Sequence, residues 1–179
     1  MNILLGVTGS IAAYKAADIT SRLVRQGHNV DVILTEGGSR FITPLTLQTL
    51  SRNKVYMDLF EEITPSEVKH ISLAKKADLV LVAPASANII GKVAGGIADD
   101  FLSTVIMAAA GQKPVYIAPA MNTNMYENPI VQDNISKLKG GGYRFIDPKA
   151  SLLACGDLGK GALADVDDIV AMVTGASDK

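Results

Sequence analysis

Short apolar runs that alternate with helical segments constrain the fold of this chain more than any other feature of its sequence. The runs lie at residues 2–8, 29–35, 78–83, 114–118 and 143–146. Continuous apolar strands of this kind are buried on both faces, and helical patterns between them predict a parallel sheet covered by helices. Because crossover connections are right-handed, we expect an α/β fold with a three-layer, doubly wound, Rossmann-like parallel sheet.

Capping and breaking residues predict where the helices lie. The first helix is expected over residues 11–26, with Gly27 as the residue that ends it. Further helices are expected over residues 39–52, in a segment that ends at Ala110 and is capped by Asp99 or Asp100, and over residues 166–173. The last of these begins with a cluster of aspartates, which favours a helix N-terminus. Residues 53–69 give no clear pattern.

Length and composition fit one compact domain. The chain has 179 residues, of which 48% are hydrophobic, so we assign residues 1–174 to one domain and residues 175–179 to a flexible tail. A net charge of −1 without a run of Lys or Arg argues against a nucleic-acid partner. The N-terminus lacks a signal-peptide pattern, the apolar runs are too short to cross a membrane, and Cys155 is the single cysteine. These features predict a cytoplasmic protein without a membrane partner.

The turns that follow the predicted strands are where a ligand is expected, because doubly wound sheets bind ligands at the carboxyl ends of their strands. Residues 8–13 combine small side chains with the start of a helix, which suits the phosphate of a mononucleotide. Ser10 also fits an ordinary N-cap. Residues 83–88 offer small hydroxyl and amide groups to a planar heterocycle, or simply cap the next helix. His28 and His70 are too far apart in sequence to support a metal site.

Three motifs make the chain resemble the flavin-dependent cysteine decarboxylases. In order along the chain, they are residues 9–15 (GSIAAYK), residues 83–88 (APASAN) followed by Gly91 and Lys92, and residues 119–126 (PAMNTNMY). The resemblance extends to about residue 173 and is strongest to the members that act on a small molecule, 4′-phosphopantothenoylcysteine, in coenzyme A biosynthesis. It implies FMN as the cofactor, bound between the subunits of a homotrimer or a dodecamer of trimers. It also implies FMN contacts by Gly9, Ser10, Ile11, Thr35, Ser86, Ala87, Asn88 and Ser103.

The reaction that this resemblance implies needs an electron sink, because loss of CO2 from a cysteine-derived carboxylate leaves a carbanion. A flavin creates the sink by oxidising the thiol-bearing carbon to a thioaldehyde, which stabilises the carbanion as an enethiolate. The resemblance assigns His70 as the base, Asn122 as the carboxylate-binding amide, and Cys155 as the proton donor on the way to saturated 4′-phosphopantetheine. Substrate contacts are expected from Ala120, Asn122, Met125 and Ala154.

The same residues also have simpler interpretations, and the motifs depart from the family pattern. Taken singly, His70 fits a helix-surface histidine, Asn122 a helix cap, and Cys155 a small buried apolar residue. The third motif ends in Tyr126 instead of Trp, and uncharged residues stand near Cys155 where many relatives carry Arg, which leaves Lys160 as a possible substitute. Two other functions stay open: decarboxylation of a peptidyl cysteine, against which Cys155 argues, and a non-catalytic flavin-binding regulatory subunit.

Overall fold

The computed structural model describes residues 1–59, 68–152 and 158–175, with the backbone alone at residues 151, 152 and 158. Its strands are β1 (Asn2–Val7), β2 (Asn29–Leu34), β3 (Val55–Tyr56), β4 (Leu79–Ala85), β5 (Val115–Pro119), β6 (Arg144–Phe145), β7 (Lys149–Leu152) and β8 (Leu158–Ala162). A short 3-10 turn, Ile11–Tyr14, leads into the first helix. The helices are α1 (Lys15–Arg25), α2 (Glu36–Ser39), α3 (Pro44–Ser51), α4 (Lys69–Lys76), α5 (Ala87–Gly95), α6 (Phe101–Ala109), α7 (Thr123–Tyr126), α8 (Pro129–Gly140) and α9 (Val166–Thr174). Within the described part of the chain, no helix has the length and apolar character needed to cross a bilayer.

Six strands form a parallel sheet in the order β3-β2-β1-β4-β5-β6, which confirms the predicted doubly wound α/β fold. β1 and β2 pair along their whole length, from Asn2 opposite Asn29 to Val7 opposite Leu34. The chain winds outward from β1 to β3 and then returns to β4 on the other side of β1. The switch point at which such folds bind ligands therefore lies between β1 and β4.

Apolar side chains on the two faces of the sheet form two separate cores. One core contains Leu23 of α1 and Ile169 of α9, and the other contains Leu73 of α4 and Leu102 of α6. All four are at most 4% exposed, and burying a leucine or isoleucine side chain stabilises a fold by about 1.5–3 kcal/mol. Helices on both faces thus hold the sheet rigid and leave its carboxyl edge to the turns.

Three local features differ from the sequence predictions. The helix predicted over residues 39–52 begins only at Pro44, as α3, because Thr43 accepts a hydrogen bond from the Thr46 backbone and Pro44 takes the first helical position; residues 36–39 form the separate short helix α2. The unassigned stretch that begins at residue 53 contains the two-residue edge strand β3. Finally, β7 and β8 pair as an antiparallel hairpin that was not predicted. Its strands have four and five residues and interrupt apolar residues with polar residues or glycine, so they carry no continuous apolar signal.

Candidate active site

A cavity of about 560 Å³ opens beyond the carboxyl ends of β1, β4 and β5. The segments that line it are the turn after β1, the start of α5, the motif after β5, and the β7–β8 hairpin with the residue that follows it. The lining residues are Gly9, Ser10, Ile11, Ala12, Tyr14, Lys15, Ser86, Ala87, Ala120, Met121, Asn122, Met125, Lys149, Gly161, Ala162 and Leu163. The cavity therefore brings together residues from all three sequence motifs.

The turn after β1 is shaped by a cap and by a close backbone contact. Ser10 caps the 3-10 turn, since its Oγ accepts a hydrogen bond from the Ala12 backbone at 3.3 Å. A Cβ atom on Gly9 would lie 3.1 Å from the carbonyl carbon of Gly37, so a larger residue at position 9 would crowd the neighbouring turn. Thr35 belongs to that neighbouring turn, where it accepts a hydrogen bond from the Gly38 backbone and caps α2. Thr35 therefore supports the turn from behind and is absent from the cavity lining.

A buried threonine joins the turns on the two sides of the switch point. Thr8 is 2% exposed; its Oγ1 donates to the Pro84 carbonyl at 2.7 Å and accepts from the Ser86 backbone at 2.9 Å. Ser86 in turn caps α5 by accepting from the Ile89 backbone. This chain of bonds fixes Ser86 at the cavity wall beside Ala87.

The motif after β5 places an amide at the cavity. Ala120 is held by a backbone hydrogen bond to the Ala85 carbonyl, and the next turn begins α7. Asn122 caps that helix through Oδ1, which accepts from the Asn124 backbone at 2.8 Å. This cap is the simpler of the two roles expected for Asn122. It uses Oδ1, whereas the hydrogen-bond donors of the amide are on Nδ2. Met125 lines the cavity and is half exposed, whereas Tyr126 is buried beneath the motif.

The β7–β8 hairpin closes one side of the cavity and docks on the Asn122 motif. Gly161 accepts a hydrogen bond from the Met121 backbone at 3.0 Å. Its φ of +154°, and the overlap that a Cβ atom would make with the Met121 carbonyl, require glycine here. Lys149 stands opposite Ala162 in the hairpin register. Lys149, Gly161, Ala162 and Leu163 were not predicted as lining residues, although residues 161–163 belong to the segment near Cys155 where the sequence departs from the family pattern.

Positive charge marks the cavity. Among the described residues that line it, the charged ones are Lys15 and Lys149. Lys149 forms an ion pair with Asp165, the residue before α9. The hydrogen bond from Lys149, partly offset by burial and supported by the charge of Lys15, holds the pKa of the Asp165 carboxyl below its usual value. The cavity is therefore suited to an anionic ligand.

Besides Thr35, three of the predicted site residues lie outside the cavity lining of this chain. Asn88 is exposed on α5, and Ser103 is 1% exposed in a capping box with Asp100 at the start of α6. His70, partly buried, is the second residue of α4. That helix packs against α6 on the face of the sheet opposite α1. None of the three lines the cavity of this chain.

Two predicted residues, Ala154 and Cys155, lie outside the described residues. The cation proposed from sequence as a substitute for the family's Arg, Lys160, lies with its ammonium 5.8 Å from the centre of the Tyr126 ring and does not line the cavity. The Lys92 of the second motif forms ion pairs of 2.7 Å with Asp99 and with Asp100, the predicted cap of α6. This lysine therefore serves the structure around α5 and α6.

The lining fits a flat, phosphorylated cofactor. Small residues such as Gly9, Ala87, Ala120 and Ala162 leave room for a ring system, and Ser10 and Ser86 add hydroxyl groups. The volume lies within the range of about 300–1,000 Å³ that is usual for small-molecule sites. In the described part of the chain, no group of His, Cys, Asp and Glu side chains is arranged to hold a metal ion.

Comparisons with known proteins agree with this geometry. The family model described as Flavoprotein matches residues 1–177. A Streptococcus mutans protein named "Probable phosphopantothenoylcysteine decarboxylase" is 54% identical over 94% of both chains. The coenzyme A biosynthesis bifunctional protein CoaBC of Bacillus subtilis is 55% identical over 94% of this chain, which spans 41% of that longer protein.

Solved structures extend the likeness to the three-dimensional fold. A mutant PPC decarboxylase complexed with pantothenoylaminoethenethiol superposes with a TM-score of 0.88 at 32% identity, covering 99% of this chain and 98% of that one. The FMN-binding protein AtHal3 gives a TM-score of 0.84 at 32% identity, covering 99% and 96%. On the sequence match, the fold and the cavity together, the chain belongs to the Flavoprotein family.

Proposed function

We propose that this protein decarboxylates 4′-phosphopantothenoylcysteine to 4′-phosphopantetheine and CO2 in coenzyme A biosynthesis. The observation that carries the proposal is the placement of the Asn122 motif in a cationic cavity at the switch point of a flavoprotein fold. The 54% identity to the Streptococcus mutans relative over nearly its whole length supports the same reaction.

FMN is the flavin proposed for the cavity. The Ser10 turn and the Ser86–Ala87 turn would hold it, since their small side chains and hydroxyl groups line the cavity on both sides of the switch point. Thr35, Asn88 and Ser103 remain proposed contacts that this chain does not bring to its own cavity. When bound, FMN supplies the two-electron oxidation of the thiol-bearing carbon and the return of those electrons.

The protein's own groups would handle the carboxylate and the protons. Asn122 would bind the substrate carboxylate through Nδ2, and a neutral amide avoids the strong ground-state attraction that a cation would add. His70 would remove the thiol proton, a task that a neutral imidazole performs near neutral pH. Cys155 would donate a proton to the enethiolate carbon after CO2 has left. Met125 would shield the reacting end from water.

A shared site between copies of the chain explains why His70 and Asn122 lie apart. His70 sits on α4, across the sheet from α1, whereas Asn122 lies at the cavity. In the homotrimer or dodecamer of trimers that we propose, a neighbouring copy would supply His70 to the cavity. Exposed side chains at the cavity wall, Ile11 and Tyr14 at 61% each, are consistent with cover by another subunit.

A direct assay tests the proposed function. FMN-loaded protein mixed with 4′-phosphopantothenoylcysteine should release CO2 and yield a saturated product, identified by its mass. Cys155→Ser should release up to one CO2 for each bound FMN and leave the enethiol, which is two hydrogens lighter, together with reduced flavin. A purified protein that takes up no flavin, or one that leaves the substrate intact with FMN bound, would contradict the proposal; the second result would favour a regulatory flavoprotein. Activity on a C-terminal peptidyl cysteine alone would instead identify a peptide decarboxylase.

A further inference from the structure

Two lysines of unassigned function meet at the cavity. Lys15 opens α1, and Lys149 is the first residue of β7, so they come from distant parts of the sequence. Both line the cavity, together with apolar and uncharged polar residues. Asp165 is the carboxylate that pairs with Lys149 and feels the charge of Lys15. Two positive charges and one negative charge leave this part of the cavity with a net positive charge.

The Asp165 carboxylate holds Lys149 instead of capping its own helix. An aspartate in the N-cap position normally accepts a hydrogen bond from the first turn of its helix. Asp165 is the N-cap residue of α9 but makes no such side-chain bond, and its carboxylate pairs with Lys149 instead. The backbone bond between Gly161 and Met121 holds the hairpin against the Asn122 motif. Lys149 is therefore anchored at the cavity and is 39% exposed in its side chain.

We propose that Lys149, anchored by Asp165 and flanked by Lys15, binds a phosphate monoester in the cavity. This inference rests on the proposed function, in which the substrate carries two anionic groups and Asn122 accounts for the carboxylate only. A phosphate dianion is the remaining group that needs a cation, and a lysine ammonium binds phosphate as a point charge. Both the substrate and FMN carry such a phosphate, so the experiment separates these two sources.

The test compares Lys149→Met with Lys149→Arg and with Lys139→Met in the FMN-loaded enzyme. Lys139 is the matched control, because it forms a surface ion pair with Asp147 at 3.7 Å and does not line the cavity. Steady-state kinetics are measured with 4′-phosphopantothenoylcysteine and with its unphosphorylated form, pantothenoylcysteine. Release of FMN after dilution of the holoenzyme is followed by flavin fluorescence, which does not depend on turnover.

If the substrate phosphate is the ligand, Lys149→Met raises the KM for the phosphorylated substrate roughly tenfold. Its kcat should stay unchanged, because uniform binding is lost, and the unphosphorylated substrate should be unaffected. If the FMN phosphate is the ligand, Lys149→Met releases FMN roughly tenfold faster. The ratio of the KM values for the phosphorylated and the unphosphorylated substrate then stays as in the wild type. Lys149→Arg, which keeps the charge, should retain most of the binding in either case.

Some results would overturn the inference. One such result is a Lys149→Met variant that has the same melting temperature as the Lys139→Met control and the same KM for both substrates, and that releases FMN at the same rate. In that case Lys149 binds no phosphate. If Lys149→Met does not fold, Lys149→Glu and Lys149→Arg are compared, and equal phosphate preference and FMN release in the two exclude a phosphate contact. A wild-type enzyme that acts on neither substrate disproves the proposed function, and FMN release then decides the inference alone.

Discussion

The two edges of the sheet use their polar side chains differently. At the amino edge, a row of side chains is bonded across neighbouring strands: Asn53 Nδ2 donates to Asn29 Oδ1 at 2.9 Å, and Asn29 Nδ2 donates to Asn2 Oδ1 at 3.2 Å. Asp31, whose side chain is 8% exposed, pairs with Lys76 at 2.6 Å. This network ties the ends of neighbouring strands together.

At the carboxyl edge, the hydroxyl and amide side chains of the turns after the strands bond to the backbone and cap the next helix. Thr8 bridges Pro84 and Ser86, Ser10 caps the 3-10 turn, and Asn122 caps α7. Small residues separate these caps, and the space between them is the cavity. The comparison teaches that the same sheet uses one edge for stability and keeps the other open for a ligand.

Charge introduced at the carboxyl edge should cause the largest change. Asn122→Asp keeps the cap, because aspartate is as good an N-cap as asparagine, but it places a negative charge against the substrate carboxylate. Like charges in contact cost several kcal/mol, so we expect kcat/KM to fall by about 10³-fold with an unchanged melting temperature.

His70→Asn should reduce kcat by about 10²–10⁴-fold through loss of the base.

Mixed oligomers sharpen this prediction. If one copy supplies His70 to the cavity of another, co-expression of His70→Asn and Asn122→Asp chains should restore a measurable fraction of activity. Purification through two different affinity tags isolates the mixed species, and the two single variants carried through the same steps are the controls. Mixed oligomers as inactive as the single variants would place His70 and Asn122 in the same copy's site or outside the reaction.

A smaller effect is expected where the hairpin meets the Asn122 motif. Gly161→Ala forces a Cβ atom onto the Met121 carbonyl, and displacement of the motif by about 1 Å can cost 10²-fold in rate. We expect kcat/KM to fall by about 10–100-fold and unfolding to become easier by about 1–3 kcal/mol. Gly140→Ala is the matched control, because a Cβ atom there contacts nothing within 4 Å. Equal activity in the two variants would show that the hairpin does not position Asn122.

The fold was predictable because its signals are local and strong. The apolar runs that became β1, β2, β4 and β5 are buried almost throughout, and Gly27 ends the first helical segment with a φ of +84°. The late start of α3 was missed because it depends on Thr43 and Pro44 inside an otherwise helical pattern. β3 has two residues and therefore little pattern to detect.

The cavity was predictable only in part, because some of its walls depend on long-range pairing. The motifs containing Ser10, Ser86 and Asn122 follow strands of one sheet, so their meeting follows from the topology. Lys149 reaches the cavity only through the antiparallel hairpin and its docking on Met121, which no local pattern indicates. Prediction from sequence therefore found the cavity groups that follow strands of the sheet and did not find Lys149, which the hairpin carries.

The amino edge should give the smallest effect on function and a clear effect on stability. Asn53→Ala removes the donor that satisfies Asn29 Oδ1 and the Val30 carbonyl, each at 2.9 Å. Leaving such acceptors without a partner costs about 1–3 kcal/mol, measured as the free energy of unfolding in urea at one fixed protein concentration. FMN content and kcat should match the wild type, because the change lies at the edge opposite the cavity. Gln112→Ala, which changes an exposed amide, is the control. Loss of FMN or of kcat in Asn53→Ala without loss of stability would contradict the assignment of stability to one edge and ligand binding to the other.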